Sequence, residues 1–134
     1  MIKNRTEIRV RYGETDQMGI VNNAVYPRYF EVGRTMMFRE LGFSYKKMEQ
    51  ADILIPLSDI YIKYHSPAYY DDVLTLTTEL REMPAARIKF DYTIHNPKGK
   101  LITSGYSIQA FINAKTRRPM RIPEVVKELL EPHF

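Results

Sequence analysis

The sequence contains no cysteine. Disulfides, thiolate catalysis and cysteine-bound metal are therefore excluded, and any nucleophile is oxygen or nitrogen. Histidine is scarce as well. His65 and His95 fall within expected strands without partners at metal-ligand spacing, and His133 lies near the terminus. No metal site is expected from such a set. Long apolar runs are missing: nothing approaches the roughly 20 residues that a bilayer-spanning helix needs. The opening Met1-Ile2-Lys3-Asn4-Arg5 lacks the apolar segment of a signal peptide. The expected address is the cytoplasm, with no membrane insertion.

What is present points to one soluble globular domain over residues 1–134, with 44% hydrophobic and 27% charged residues. The net charge of +4 favours an anionic partner such as a phosphorylated cofactor, a nucleic acid or an acidic carrier protein. The positive charges are scattered and form no basic and aromatic cluster, which argues against nucleic acid. The chain shows no internal repeat or linker.

From Glu7 to Tyr12 charged residues alternate with Ile8, Val10 and Tyr12, the period-two pattern of a half-buried strand. Turn formers then collect from Gly13 to Gly19, and Asn22 and Asn23 are each suited to cap a following helix. Pro27 fits a first helical turn, and Tyr26, Phe30, Gly33, Met37 and Leu41 recur at helical spacing up to a stop at Gly42. A helix of about 18 residues and about 27 Å is expected from Ala24 onward, long enough to cross a sheet. Gly33 in its middle costs about 1 kcal/mol against alanine, so close backbone packing is its expected reason.

After a stretch from Ser44 to Ile53 with no clear period, the remainder is strand-like. Ile60, Ile62 and Tyr64 share one face, and Leu74, Leu76 and Leu80 share another. Ile88, Phe90, Tyr92 and Ile94 follow the turn at Met83-Pro84-Ala85, so these last two runs are expected to pair. A further turn at Asn96-Pro97-Lys98-Gly99 leads to a long strand from Ile102 to Ile112, with Gly105 as a candidate bulge. Pro123 opens a short C-terminal helix whose Val125, Leu129 and neighbouring apolar groups are expected to dock. The order strand, long helix, then about four antiparallel strands gives an α+β fold. One helix covers only one face of such a sheet, so the other face or an edge is expected to be buried in an oligomer.

The run from Tyr12 to Asn23, followed by Tyr26, Tyr29-Phe30-Glu31 and Arg34, resembles the signature of the 4-hydroxybenzoyl-CoA thioesterase branch of the hotdog acyl-CoA thioesterases. The likeness continues through Tyr64-His65-Ser66-Pro67-Ala68, Asp72, Gly105 and the segment Thr116 to Pro123. The resemblance implies a hotdog fold, in which an antiparallel sheet wraps one long central helix and subunits join their sheets with active sites between them. It implies a homo-oligomer, a dimer or a tetramer of dimers, acting on acyl-CoA without a cofactor. Asp16 is then the catalytic carboxylate, as nucleophile or as general base, and the Asn23 backbone amide polarises the thioester carbonyl.

Thioester hydrolysis needs these two parts, an oxygen nucleophile or base and donors aimed at the developing oxyanion. An isolated aspartate before a helix is usually a turn or cap residue; the surrounding signature favours the catalytic role. Tyr26 is expected to line the core or the acyl pocket. Lys63, Arg87, Arg117 and Arg118 are the candidate contacts for coenzyme A phosphates. Glu31 and Arg34, at i and i+3, are expected to pair. Ile20 stands where the acyl-carrier-protein and long-chain relatives often have histidine, so the chain mixes features of two branches. Absence of the His-Gly-Gly motif and of the dehydratase histidine motif removes two other hotdog chemistries. Two alternatives stand beside the acyl-CoA thioesterase: a thioesterase acting on acyl carrier protein, and a non-catalytic acyl-binding subunit.

Overall fold

The computed structural model of the chain describes residues 1–134. Strand β1 (Ile2–Arg9) leads through a 3-10 turn at Tyr12–Glu14 to a second one at Asn23–Val25, which runs straight into helix α1 (Tyr26–Glu40). There follow α2 (Tyr45–Gln50), β2 (Ile53–Leu54), β3 (Leu57–Tyr64), β4 (Val73–Leu80), β5 (Arg87–His95), β6 (Leu101–Asn113), β7 (Pro119–Met120) and α3 (Glu124–Leu130). All pairings are antiparallel, in the order β1-β4-β5-β6. β2 and β3 run consecutively along the outer side of β6, and β7 folds back on its end.

The expected hairpin forms between β4 and β5. Their alternation puts Leu74, Leu76, Leu80, Ile88, Phe90 and Ile94 on one fully buried face. α1 lies across β1, β4 and β5 and closes this face with Phe30, Met37 and Phe38. Phe30 stacks on Tyr92, with ring centroids 4.1 Å apart. Burying each of these large side chains stabilises the fold by about 1.5–3 kcal/mol. Gly33 has the role expected of it: a β-carbon there would collide with Thr78 Oγ1 and lie 2.9 Å from Leu76 Cδ2. Gly42 ends the helix region with φ +86°, a conformation that favours glycine.

Four details differ from the sequence reading. β1 spans Ile2–Arg9 rather than Glu7 to Tyr12, because the ladder to β4 runs from Ile2 opposite Leu80 to Arg9 opposite Val73. Val10 leaves that ladder and exchanges backbone bonds with Asp71 and Asp72 instead. α1 itself is shorter than expected, since its first turn from Asn23 is of the tighter 3-10 kind. Gly105 is no bulge: it sits opposite Ile62 in regular register, and its missing side chain admits the Tyr61 carbonyl. In α3 Leu129 packs against the core as expected and its neighbours Val126 and Leu130 are fully buried, while Val125 is exposed.

Candidate active site

The segment between β1 and α1 is a tight hairpin held largely by its own backbone. Thr15 bridges to Val21, Asp16 N donates to Ile20 O at 2.9 Å, and Gly19 N donates to Asp16 O at 3.0 Å. Gly19 makes the reversal at φ +76°. Asp16 is exposed. Its Oδ1 accepts from Met18 N at 2.8 Å and from Ile20 N at 3.4 Å, the local pattern that orients an aspartate in a turn. Oδ2 takes part in no hydrogen bond and is free for chemistry.

At the helix start Asn22 is held by three hydrogen bonds. Its N–H donates to Glu14 O at 2.9 Å, its carbonyl accepts from Val25 N at 2.9 Å, and its side chain accepts from Ala24 N at 2.9 Å. The next amide, Asn23 N–H, donates to nothing. It is one of the orphan donors that every helix start leaves, and the aligned peptide dipoles add positive potential there. The bond from Val25 fixes the Asn22 carbonyl and hence the plane of the Asn22–Asn23 peptide, so this amide is held in place. Tyr64 steadies the following peptide, donating from its hydroxyl to Asn23 O at 3.1 Å.

Asn23 and Tyr26 line a groove of about 260 Å³ together with Ile20, Val21, Tyr64 and Pro67. Tyr26 is buried and packs edge-on against both Tyr29 and Tyr64. Burial, with Tyr64 second, pushes its hydroxyl up to about 12, and a contact with the Ala68 backbone partly offsets this. It stays protonated, as a wall of the groove rather than a base.

The four candidate phosphate contacts do not gather here. Lys63 is exposed on β3 beside Tyr64. Arg87, at the start of β5 opposite Ala110, lies 3.7 Å from Asp59. Arg117 and Arg118 follow the end of β6, and Arg117 borders a second cleft with Tyr45, Met48 and residues 53–56. The expected Glu31–Arg34 pair does not form. Arg34 turns toward the hydroxyls of Tyr45 and Tyr92, which burial raises and the guanidinium draws back down. No group of three His, Asp or Glu side chains comes together to hold a metal ion.

Two site residues went unread in the sequence. Tyr64 and Glu14 both belong to the family-like segments, but nothing local in the sequence marks what either one holds. Only tertiary contact brings Tyr64 to Asn23, 41 positions away.

Residues 10–130 match the sequence profile of the thioesterase-like superfamily. The chain belongs to that superfamily. The structure superposes with a TM-score of 0.91 on the DHNA-CoA thioesterase from Staphylococcus aureus, 33% identical, covering 99% of this chain and 89% of that one. YneP of Bacillus subtilis, provisionally named as an acyl-CoA thioesterase, is 36% identical over 118 residues, 88% of this chain and 86% of its own. The chloroplastic acyl-acyl carrier protein thioesterase ATL3 of Arabidopsis thaliana is 30% identical over 125 residues, 92% of this chain and 65% of its own. The fold is the hotdog fold, an antiparallel sheet around a long helix, and the protein is a thioester hydrolase.

Proposed function

We propose that the protein hydrolyses acyl-coenzyme A to a free acid and coenzyme A, with Asp16 and the Asn23 amide as its catalytic pair. The observation that carries this is the unpartnered, oriented Asn23 N–H in the wall of the groove, one short hairpin away from a carboxylate with a free oxygen. The thioester carbonyl accepts from Asn23 N–H, which strengthens as negative charge grows on that oxygen. Asp16 then serves in one of two ways. As nucleophile its Oδ2 attacks the carbonyl carbon, expels the coenzyme A thiolate and leaves an anhydride that water opens. As general base it takes a proton from the attacking water. Coenzyme A rather than a carrier protein is supported by the Staphylococcus aureus and Bacillus subtilis relatives, both named for CoA thioesters.

The functional unit in this reading is a homo-oligomer, a dimer or a tetramer of dimers. β3 supports it: the strand pairs on one side only, with β6, and α1 meets it through Tyr26 at its Tyr64 end. Leu57, Ile60, Tyr61 and Tyr64 are all exposed on it. Such an open apolar edge is a template for pairing with another chain.

A panel of acyl-CoA thioesters of increasing length, straight-chain and aromatic, tests the reading against the same acyl groups on carrier protein. Saturable release of free thiol from one or more CoA thioesters is expected. Turnover confined to the loaded carrier would transfer the activity to acyl carrier protein, and no hydrolysis of any thioester would leave a binding subunit.

A further inference from the structure

The mechanism above leaves Glu14 unused, yet this residue joins three segments around the site. Its Oε1 accepts from Arg11 N at 2.8 Å, at the start of the hairpin, and from Tyr29 Oη at 2.9 Å, on α1. Its Oε2 lies 3.5 Å from the Arg11 guanidinium. Its backbone carbonyl accepts from Asn22 N at 2.9 Å, at the end of the hairpin, and its own N–H donates to Arg11 O at 3.0 Å. The carboxylate is 12% exposed, so these bonds compete little with water.

We infer that Glu14 and Tyr29 are positioning residues that fix the Asp16 hairpin against the Asn23 amide. The inference rests on the proposed thioesterase reading for its rate effect, though not for its structural one. Tyr29 is buried on the second turn of α1 and packed against Tyr26, so it is a fixed point on the same helix that presents Asn23. Asp16 itself has no side-chain bond to that helix; both of its acceptor contacts stay inside the hairpin. Glu14 is thus the side chain that ties the carboxylate-bearing loop to the helix, while its carbonyl holds Asn22, whose other bonds orient the oxyanion donor. Burial, and next the hydrogen bond to Glu14, push the Tyr29 hydroxyl well above the ordinary tyrosine range, which keeps it a donor at every working pH. A capping role for Arg11 alone would need neither the Tyr29 contact nor the Asn22 contact.

Steady-state kinetics, melting curves and amide hydrogen exchange on Glu14→Ala, Glu14→Gln and Tyr29→Phe, beside the wild type, test this. A loop that drifts by about 1 Å from reacting groups costs on the order of 100-fold, so Glu14→Ala should lower kcat about 10- to 100-fold with KM within about threefold. Glu14→Gln keeps an oxygen acceptor and should recover most of that loss. Tyr29→Phe keeps the ring packing and should lower kcat less than Glu14→Ala does. The Met18 and Ile20 amides should exchange faster in Glu14→Ala and Tyr29→Phe. Unchanged kcat per folded enzyme in Glu14→Ala, or equal losses in Glu14→Gln and Glu14→Ala, would overturn the positioning role. If Glu14→Ala fails to fold, Tyr29→Phe decides: wild-type turnover and wild-type exchange sink the inference. If the wild type itself hydrolyses no thioester, the functional reading fails, and the exchange rates still judge the latch.

Discussion

The two ends of α1 differ in what they offer a substrate. At the N-terminal end the backbone is tied down by the hairpin, Glu14 and Tyr64, and a single oriented amide is left open one short hairpin along the chain from Asp16. No arginine lines the groove there. Beyond the C-terminal end lies an apolar cleft of about 360 Å³ with Tyr45, Met48, Ile53 and Pro56 in its walls and Arg117 on its border. Arg118 and Arg87 belong to the same end of the sheet, since Arg118 O accepts from Asn113 N and Arg87 stands opposite Ala110. The groove and these three arginines thus sit at opposite ends of β3, an eight-residue strand about 23 Å long, with Lys63 at the groove end. Antiparallel pairing of β3 with a second copy of itself would bring the arginine end of one subunit to the groove of the other. The open edge of β3 and the split between groove and arginines then have one explanation.

The largest effect is expected at the chemical end. Asp16→Asn keeps the shape and an oxygen to accept from Met18 N, so folding and melting temperature should change little. It removes the anion, and kcat should fall by about three orders of magnitude or more. Near wild-type turnover with lowered stability would make Asp16 a turn residue and leave the N-terminal end without its acid or base. Next comes the strand that would join the ends. Ile60 is 38% exposed and lies near the middle of β3, so Ile60→Lys should leave the monomer folded. In an antiparallel self-pair the new charges would face one another close to the two-fold axis, which is destabilising. Light scattering should then show monomer, and activity should fall about 100-fold at dilute protein if productive geometry needs both subunits. A fully active monomer would break the link between the two ends.

The legible parts of the fold were those where local pattern and tertiary need agree. The β4 and β5 alternation, the Asn96 to Gly99 turn and the helical stripe ending at Gly42 all answer to short-range rules. β1 was read late because its inward positions are Ile2, Asn4, Thr6 and Ile8, and the buried Asn4 hides the apolar period. The α3 face was only half legible, with Leu129 packed and Val125 exposed, because seven residues carry too few turns to fix a face. Gly105 was assigned to a local irregularity, whereas its cause is the Tyr61 carbonyl on the neighbouring strand. At the site, Tyr26 as a wall of the groove was legible, and the family signature marks Asp16 and Asn23 as the proposed catalytic pair. The contacts of Glu14 with Tyr29 and of Tyr64 with Asn23 were not, since they join positions that only the folded chain brings together.

The smallest effect is expected at the arginine end, where substrate charge is met near solvent. Replacing Arg87, Arg117 or Arg118 there, or Lys63 at the groove end of β3, singly by alanine should raise KM for coenzyme A thioesters about two- to tenfold without changing kcat, as loss of uniform binding does. Added salt at about 1 M, which shortens the screening length to about 3 Å, should erase the difference from wild type. Arg117 allows a sharper version. Its backbone is left-handed, with φ +61°, in a turn already held by Asn113, whose side chain accepts from Lys115 N and Thr116 N. A side chain at such a φ costs roughly 1 kcal/mol that glycine does not. Arg117→Gly should therefore raise the melting temperature while it raises KM. A residue kept only for the turn would gain stability on this change and lose nothing. If neither Arg117→Gly nor any of the four alanine variants moves KM, the arginine end is a solvated face, and its contrast with the catalytic end has no bearing on substrate.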